Sequence, residues 1–158
     1  MAIAKNVERM AVGFFSVCVA LLGVIAGYEG YSDDAYLDSA GVPTIGYGTT
    51  LGVKMGDTIT RETAEAYLLR DTGYAGDAVA RCVKVPLYPH EYRAYVSLAY
   101  NIGGGAFCKS TLVRKLNSGD YAGACNELPR WVYAGGKRLR GLEIRRADER
   151  RRCLGEEL

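Results

Sequence analysis

The chain has 158 residues, the length of one domain with a hydrophobic core, and its 49% apolar and 24% charged residues argue against a disordered protein. A net charge of +2 is too small to indicate nucleic-acid binding, and none is expected. The chain's one histidine, His90, and five cysteines without a CxxC pair give little support to a zinc site.

Residues 11–27 carry no charge, and they follow Lys5 and Arg9 and precede several acidic residues. This asymmetry predicts an N-terminus in the cytoplasm and the rest of the chain outside. A helix of this length would span roughly 25 Å, which is barely enough for a hydrocarbon core of roughly 30 Å. Three glycines and three alanines lower its hydrophobicity further.

Three interpretations of this segment compete: a cleaved signal peptide, a permanent anchor and the buried first helix of the folded domain. Cleavage after Ala26 or Gly27 would leave Glu29 almost at the new N-terminus, without rigid support. The composition fits best a weak, uncleaved span that can also leave the membrane. We therefore divide the chain into residues 1–27, this segment, and residues 28–158, a folded domain.

The elements beyond the segment predict an α+β fold that is mainly helical. Residues 31–58, rich in Gly, Asp, Thr and Tyr, indicate short strands joined by a turn. Thr60 is a candidate N-cap of a helix from Arg61 to about Arg81, and Gly73 and Gly76 weaken the middle of that helix.

A second group of elements completes a helical body after Pro86 and Pro89. An apolar stripe has the spacing of a buried helix face, and glycines end it. The stripe comprises Tyr92, Tyr95, Val96, Ala99 and Ile102, and the glycines are Gly103, Gly104 and Gly105. Ser110 and Asp120 are candidate caps of two short helices. A loop runs from Trp131 through Gly136, and a final helix begins near Leu142.

That last helix is rich in arginine. Its basic side chains either form a face for an anionic polymer or belong to a solvated helix face with its own Glu partners. The arginines concerned are Arg138, Arg140, Arg145, Arg146 and Arg150 to Arg152.

Hydrolysis of a glycosidic bond requires one carboxylic acid to protonate the leaving oxygen and a second carboxylate to direct water or stabilise the positive sugar. Glu29 follows an apolar helix and has tyrosine neighbours, a setting that helps to keep a carboxyl protonated. Asp38 lies in the expected hairpin, where it can face Glu29 across a cleft, and the Thr44 hydroxyl can hold a water. On composition alone, a surface Glu near a surface Asp is commonplace.

The order and spacing of Glu29, Asp38 and Thr44, followed by Ile45-Gly46-Tyr47-Gly48, resemble the catalytic motif of bacteriophage lysozymes, the T4-type endolysins of glycoside hydrolase family 24. Further blocks in family order extend the resemblance over most of residues 28–154. They are Ala99 to Gly103, Gly105 to Phe107, Ser110 to Leu112, Trp131, Ala134 to Gly136, Gly141-Leu142, Arg145-Arg146, Glu149 and Cys153.

This resemblance implies a lysozyme-like fold with a cleft between a small β lobe and a helical lobe, and a muramidase that cuts the β-1,4 bond between N-acetylmuramic acid and N-acetylglucosamine. Glu29 would be the general acid, Asp38 the water-directing carboxylate and Thr44 the residue that positions the water. Asn101 and Tyr47 would contact the sugar, although Asn101 fits a helix-end role equally well. The substrate is peptidoglycan, an inverting course is favoured, no cofactor is needed, and a monomer is expected.

The weak N-terminal span resembles the signal-arrest-release segment of a subset of these endolysins. The resemblance implies export by the host Sec machinery, an inactive form held in the inner membrane, and release into the periplasm on depolarisation. Some such enzymes carry Cys at the second catalytic position, where a disulfide blocks the site, but this chain has Asp38 there. We therefore expect conformational control, in which residues 11–27 pack into the body and bring Glu29 to the cleft.

In an exported protein, Cys82, Cys108, Cys125 and Cys153 could form two disulfides in three connectivities. Cys18 then fits a small apolar helix residue better than a redox switch, although thiol exchange stays open.

Two alternatives to a lysozyme are a lytic transglycosylase and a non-catalytic wall-binding protein of the same fold. The transglycosylase would keep the acid Glu29 without needing Asp38 or Thr44. A binding protein would need none of the three functional groups, and the presence of all three argues against it.

Overall fold

The computed structural model describes residues 8–156, and its N-terminal segment lies on the body of the protein. A 3-10 turn at Val12–Phe14 is followed by helix α1, Val19–Glu29. The segment is thus not one continuous helix, because Cys18 is extended (φ −113°, ψ 157°). The break lets both ends of the segment reach the body, where Val12 is buried and the Phe15 ring stacks on Tyr92 with centroids 4.7 Å apart.

The small β lobe follows α1 directly. Strands β1, Ser32–Leu37, and β2, Pro43–Gly46, pair antiparallel, with Tyr36 opposite Thr44 and Leu37 opposite Pro43. This is the strand-turn-strand arrangement expected for residues 31–58, and it carries the candidate second carboxylate, Asp38, at the end of β1.

Helix α2, Arg61–Cys82, begins at the predicted cap, since the Thr60 hydroxyl oxygen accepts a hydrogen bond from the Thr63 amide. It runs without interruption through Gly73 and Gly76. A Cβ at residue 76 would lie 2.8 Å from the Tyr92 hydroxyl, so a glycine is what allows α2 to pack this closely on the next helix.

Helix α3, Pro89–Ile102, is the centre of the helical lobe, and its buried face is the predicted stripe. Gly103 ends it, and α4, Gly104–Lys109, starts at once, so only the first of the three glycines separates the two helices and the other two belong to α4. The remaining elements are α5, Thr111–Asn117; α6, Tyr121–Cys125; a 3-10 turn, Leu128–Arg130; strands β3, Tyr133–Ala134, and β4, Lys137–Arg138; and α7, Arg140–Cys153.

The caps expected at Ser110 and Asp120 are present. The Ser110 side chain accepts from the Val113 amide and the Asp120 carboxylate from the Gly123 amide. The expected mainly helical α+β architecture is therefore confirmed.

Two disulfides connect elements of the helical lobe. Cys82 at the end of α2 is bonded to Cys108 in α4, and Cys125 in α6 is bonded to Cys153 at the end of α7. Of the three connectivities open from the sequence, this is the observed one, and Cys18 is a free, exposed thiol. Within residues 8–156, no helix combines the length and the apolar character that a bilayer crossing requires.

Candidate active site

Glu29 is the last residue of α1, and the helix is fixed by burial of Leu21 and Ile25 in the core. Gly30 ends the helix with φ 71°, and its amide donates to the Ala26 carbonyl at 3.1 Å. The Glu29 side chain is 17% exposed, so the carboxyl lies at the surface of a cleft with little of it in bulk water. The expectation that Glu29 ends an apolar helix is confirmed.

Gly48 forms the β-lobe wall against this carboxyl. A Cβ at position 48 would lie 3.0 Å from Glu29 Oε2, and the backbone there has φ 92°, a conformation that favours glycine. The loop after β2 can therefore approach the Glu29 carboxyl so closely only because residue 48 has no side chain.

Arg145 holds the other oxygen of Glu29. Its Nη1 donates to Glu29 Oε1 at 2.5 Å, its Nε to Glu149 Oε1 at 3.0 Å, and its Nη2 to the Ser97 carbonyl at 3.1 Å. The Tyr28 ring centroid lies 4.7 Å from the guanidinium carbon. The Arg145 side chain is only 4% exposed, and these four contacts fix its position. Its positive charge therefore lies at a defined place beside Glu29.

A buried ion-pair network lies behind Arg145. Glu149 pairs with Arg145 and, at 2.8 Å, with Arg146, and it accepts a hydrogen bond from the Ser97 hydroxyl at 2.6 Å. Burial raises the pKa of Glu149, and the two arginines oppose that rise; burial also lowers the pKa of Arg146 to about 10. The solvated-face interpretation of α7 is therefore wrong for Arg145 and Arg146, because both are buried.

Asp38 begins the turn between β1 and β2. Its Oδ1 accepts hydrogen bonds from the Ala40 and Val42 amides, both at 2.8 Å, and its own amide donates to the Val42 carbonyl at 3.0 Å. These contacts fix the direction of a half-buried carboxylate. The described residues give Oδ2 no hydrogen-bond partner, so this oxygen is free to accept one from a water or a sugar.

Glu29 and Asp38 share Tyr36 as a neighbour. Burial raises the pKa of the Tyr36 hydroxyl, and the negative charges of Glu29 and then Asp38 raise it further. Because such an effect falls with distance, both carboxyls lie within electrostatic reach of this one hydroxyl. Glu29 and Asp38 therefore both act on the Tyr36 side chain, which lies opposite Thr44 in the hairpin.

Thr44 pairs with Tyr36 across the hairpin and is only 3% exposed. Its hydroxyl donates to the Val42 carbonyl at 2.9 Å. The hydroxyl proton is therefore used in a hydrogen bond to the turn that also holds Asp38. The lone pairs of the hydroxyl oxygen remain available to accept hydrogen bonds.

The two predicted sugar contacts lie in different environments. Asn101 lines a pocket of about 260 Å³ together with Tyr28, Glu29, Leu142 and Arg145. Tyr47 is only 8% exposed: its ring packs against Tyr31 and its hydroxyl accepts from Arg61 Nη1 at 3.1 Å. The structure brings Asn101 to Glu29, and it places the Tyr47 side chain in the interior of the β lobe.

Tyr100 and Arg145 are not among the residues that the sequence predicts for the site. The Tyr100 hydroxyl donates to the Tyr47 carbonyl at 2.7 Å and joins α3 to the β lobe beside Gly48. Burial raises its pKa, and Glu29 and Asp71 add to that rise. The Arg145-Glu149 spacing of four residues is a sequence feature that indicates an ion pair on one helix face.

Residues 8–156 contain no group of three or more His, Cys, Asp or Glu side chains arranged to hold a metal ion. The groups at the site are instead two carboxyls, one buried guanidinium, one hydroxyl and one amide, contributed by Glu29, Asp38, Arg145, Thr44 and Asn101.

Comparison with known proteins gives consistent matches. The family model described as phage lysozyme matches residues 26–149. The chain is 38% identical to the SAR-endolysin of Enterobacteria phage P21, over 97% of this chain and 93% of that protein. It is 45% identical to an endolysin of Acyrthosiphon pisum secondary endosymbiont phage 1, over 82% and 91%. The solved endolysin from Escherichia coli O157:H7 phage FAHEc1 has a TM-score of 0.79 and 38% identity, covering 92% of this chain and 97% of that chain.

Proposed function

The chain belongs to the phage lysozyme family and is a cell-wall lytic enzyme, and we propose that it hydrolyses the β-1,4 bond between N-acetylmuramic acid and N-acetylglucosamine with Glu29, Asp38 and Thr44. The observation that carries this proposal is the position of Glu29, which ends α1 between Gly48 and Arg145, with Asp38 held in the turn of the hairpin that follows α1. Peptidoglycan is the substrate.

Glu29 is the general acid. Its carboxyl protonates the glycosidic oxygen as the bond to the sugar breaks, and the carboxylate that remains is stabilised by Arg145 Nη1. Since Arg145 is itself fixed by Glu149 and Ser97, it provides this stabilisation without having to move.

Asp38 directs the attacking water. One oxygen of its carboxylate is held by two backbone amides, and the other is open to accept a hydrogen bond from water. The Thr44 oxygen, whose proton goes to Val42, accepts a second hydrogen bond and so fixes the orientation of that water. A water activated opposite the leaving group inverts the anomeric carbon, and we propose an inverting course.

Asn101 is proposed as a sugar contact because it lines the pocket beside Glu29. For Tyr47 we propose a contribution to the site through its backbone. Its carbonyl accepts a hydrogen bond from the Tyr100 hydroxyl beside Gly48, and its ring is enclosed.

Mass spectrometry of the products from purified peptidoglycan tests the reaction. Hydrated muramic-acid reducing ends are expected from the wild type and none from Glu29→Gln, with Asp38→Ala also inactive. Anhydro-muramic ends from both the wild type and Asp38→Ala would instead identify a lytic transglycosylase. Wall binding without cleavage by the wild type would identify a binding protein.

We also propose that residues 11–27 first span the host inner membrane after export by the Sec machinery, with the N-terminus in the cytoplasm, and later leave it for the periplasm without cleavage. In the arrangement described here, Leu21 and Ile25 of the same segment lie in the core and Glu29 lies in the cleft. A monomer suffices for this arrangement. Fractionation of cells before and after collapse of the membrane potential tests the transfer, which should move the intact chain from the membrane to the periplasm.

A further inference from the structure

Arg9 lies two residues before the uncharged segment, and its side chain occupies a cage on the catalytic body. The guanidinium carbon lies 3.7 Å from the Tyr121 ring centroid and 4.3 Å from the Tyr88 centroid. Its Nε and Nη2 donate to the two oxygens of Glu91 at 3.2 and 2.8 Å. Two aromatic faces and a carboxylate in bidentate contact are a fitted site for a guanidinium ion.

The body holds the three cage residues in place by contacts of its own. The Tyr88 amide donates to Glu91 Oε2 at 2.7 Å at the start of α3, and the Tyr121 hydroxyl donates to the Pro86 carbonyl at 3.0 Å. Glu91 is only 3% exposed. Of the three hydrogen bonds that the described residues give its carboxylate, Arg9 donates two.

The cage also fixes the start of the segment through the backbone. Met10 and Leu87 exchange two amide-to-carbonyl hydrogen bonds of 2.8 Å, directly after Arg9. The Glu91 carboxylate raises the pKa of Arg9, so the side chain is charged at every physiological pH. The segment is therefore held at its first residues by this site and at its last by α1 and Glu29.

Arg9 cannot be in the cage while residues 11–27 span a bilayer. Arg9 would then lie on the cytoplasmic side, and Tyr88, Glu91 and Tyr121 on the other, separated by a hydrocarbon core roughly 30 Å thick. The buried Glu91 would lack its cation in that state. Passage of Arg9 into the cage thus accompanies departure of the segment from the membrane.

We propose that Tyr88, Glu91 and Tyr121 form a guanidinium-binding site whose ligand is Arg9, and that its occupation keeps the released segment on the body and out of the membrane. This inference rests on the proposed membrane release of residues 11–27. A planar guanidinium fits between two rings and bridges both oxygens of a carboxylate, which a lysine ammonium cannot do.

Two variants of the full chain test the site. Arg9→Lys keeps the positive charge that sets the orientation in the membrane and loses the planar fork. Tyr121→Leu removes one aromatic wall together with the hydroxyl that donates to Pro86, and it leaves the sequence of the segment unchanged. Tyr67→Leu is the matched control, because its ring lies 4.4 Å from the Arg70 guanidinium carbon and both residues belong to α2.

Two measurements on the purified, released chain follow the segment. In hydrogen exchange, the amides of Met10 and Leu87 should exchange about fivefold faster in both cage variants than in the wild type, because Tyr121→Leu loses one cation–π contact and Arg9→Lys loses one of the two hydrogen bonds to Glu91. In flotation with neutral phosphatidylcholine vesicles, both cage variants should associate severalfold more than the wild type. Tyr67→Leu should match the wild type in both measurements.

Unchanged exchange at Met10 and Leu87 in either cage variant, or vesicle association equal to that of Tyr67→Leu, overturns the proposal. Neither readout uses the wall-cutting reaction. A wild type that cuts no glycan bond would therefore refute the proposed chemistry while the exchange and flotation results still decide the role of the cage.

Discussion

Arg145 Nη1 lies 2.5 Å from Glu29 Oε1, although the two residues are 116 positions apart in the chain. The contact joins the end of the N-terminal segment to the final helix. Arg145 is also bound to Glu149 and Ser97, so the position of the Glu29 carboxyl depends on a network that is already assembled in the helical lobe. Activity should therefore depend on residues that touch no sugar.

Arg145→Lys should lower the rate of wall digestion by about tenfold to a hundredfold, since a single ammonium cannot reach Glu29, Glu149 and Ser97 together and the acid is then misplaced. Arg140→Lys is the control, because Arg140 lies on the same helix with a side chain 82% exposed. Loss of turbidity of purified walls, with circular dichroism to confirm folding, measures the effect. Equal activity in the two variants would remove Arg145 from its positioning role.

Gly48→Ala should reduce activity strongly, because the added Cβ would lie 3.0 Å from Glu29 Oε2. Gly52→Ala is matched to it: the backbone there has φ 76°, and an added Cβ would meet no atom within 4 Å. Both changes should cost about 1 kcal/mol of unfolding free energy for an alanine at positive φ. Urea unfolding measures that shared cost. A Gly52→Ala enzyme as impaired as Gly48→Ala would show that backbone strain, not contact with Glu29, causes the loss.

Removing either disulfide by paired serine substitution should lower the unfolding free energy by about 3.5 kcal/mol, and by nearly the same amount for both, since they close loops of similar length. The sequence separations are 26 residues for Cys82–Cys108 and 28 for Cys125–Cys153. Cys18→Ser should change neither stability nor wall digestion, because that thiol is free and exposed. Chemical denaturation of the three variants makes the comparison. A large effect of Cys18→Ser would restore thiol exchange as a mechanism.

Stability should fall as the pH drops through the histidine range. Burial lowers the pKa of His90 below its usual 6.5, so the unfolded chain takes up this proton before the folded one does. The loss begins near pH 6.5 and continues until the pH passes the folded pKa. His90→Gln should remove this part of the pH dependence, which urea unfolding at pH 7.5 and 5.5 would detect. An equal change in unfolding free energy between these two pH values in the wild type and in His90→Gln would contradict this prediction.

Local features of the fold follow from the sequence because their causes are local. The caps at Thr60, Ser110 and Asp120 and the buried stripe of α3 each depend on residues within one or two helical turns. The start of α1 at Val19 does not, since it depends on where Val12 and Phe15 meet the body. Long-range contacts therefore decide where the helix begins within residues 11–27.

The candidate site likewise has features that the sequence predicts and features that depend on the tertiary structure. The motif places Glu29 at a helix end and Asp38 in a hairpin, and the structure has both there. The sequence does not reveal which face of α7 is buried, because arginines lie all around that helix. The contacts of Arg145 and the enclosure of the Tyr47 ring therefore come only from the tertiary structure.

Both disulfides join residues between Cys82 and Cys153, and neither involves the segment that ends in Glu29. The covalent framework can therefore be completed by oxidation while residues 11–27 are still held elsewhere. In the proposed release from the membrane, departure of that segment would break and form no covalent bond. If the segment is released as proposed, maturation of the body and the timing of lysis are separate events, and the enzyme can accumulate fully oxidised before the moment of its use.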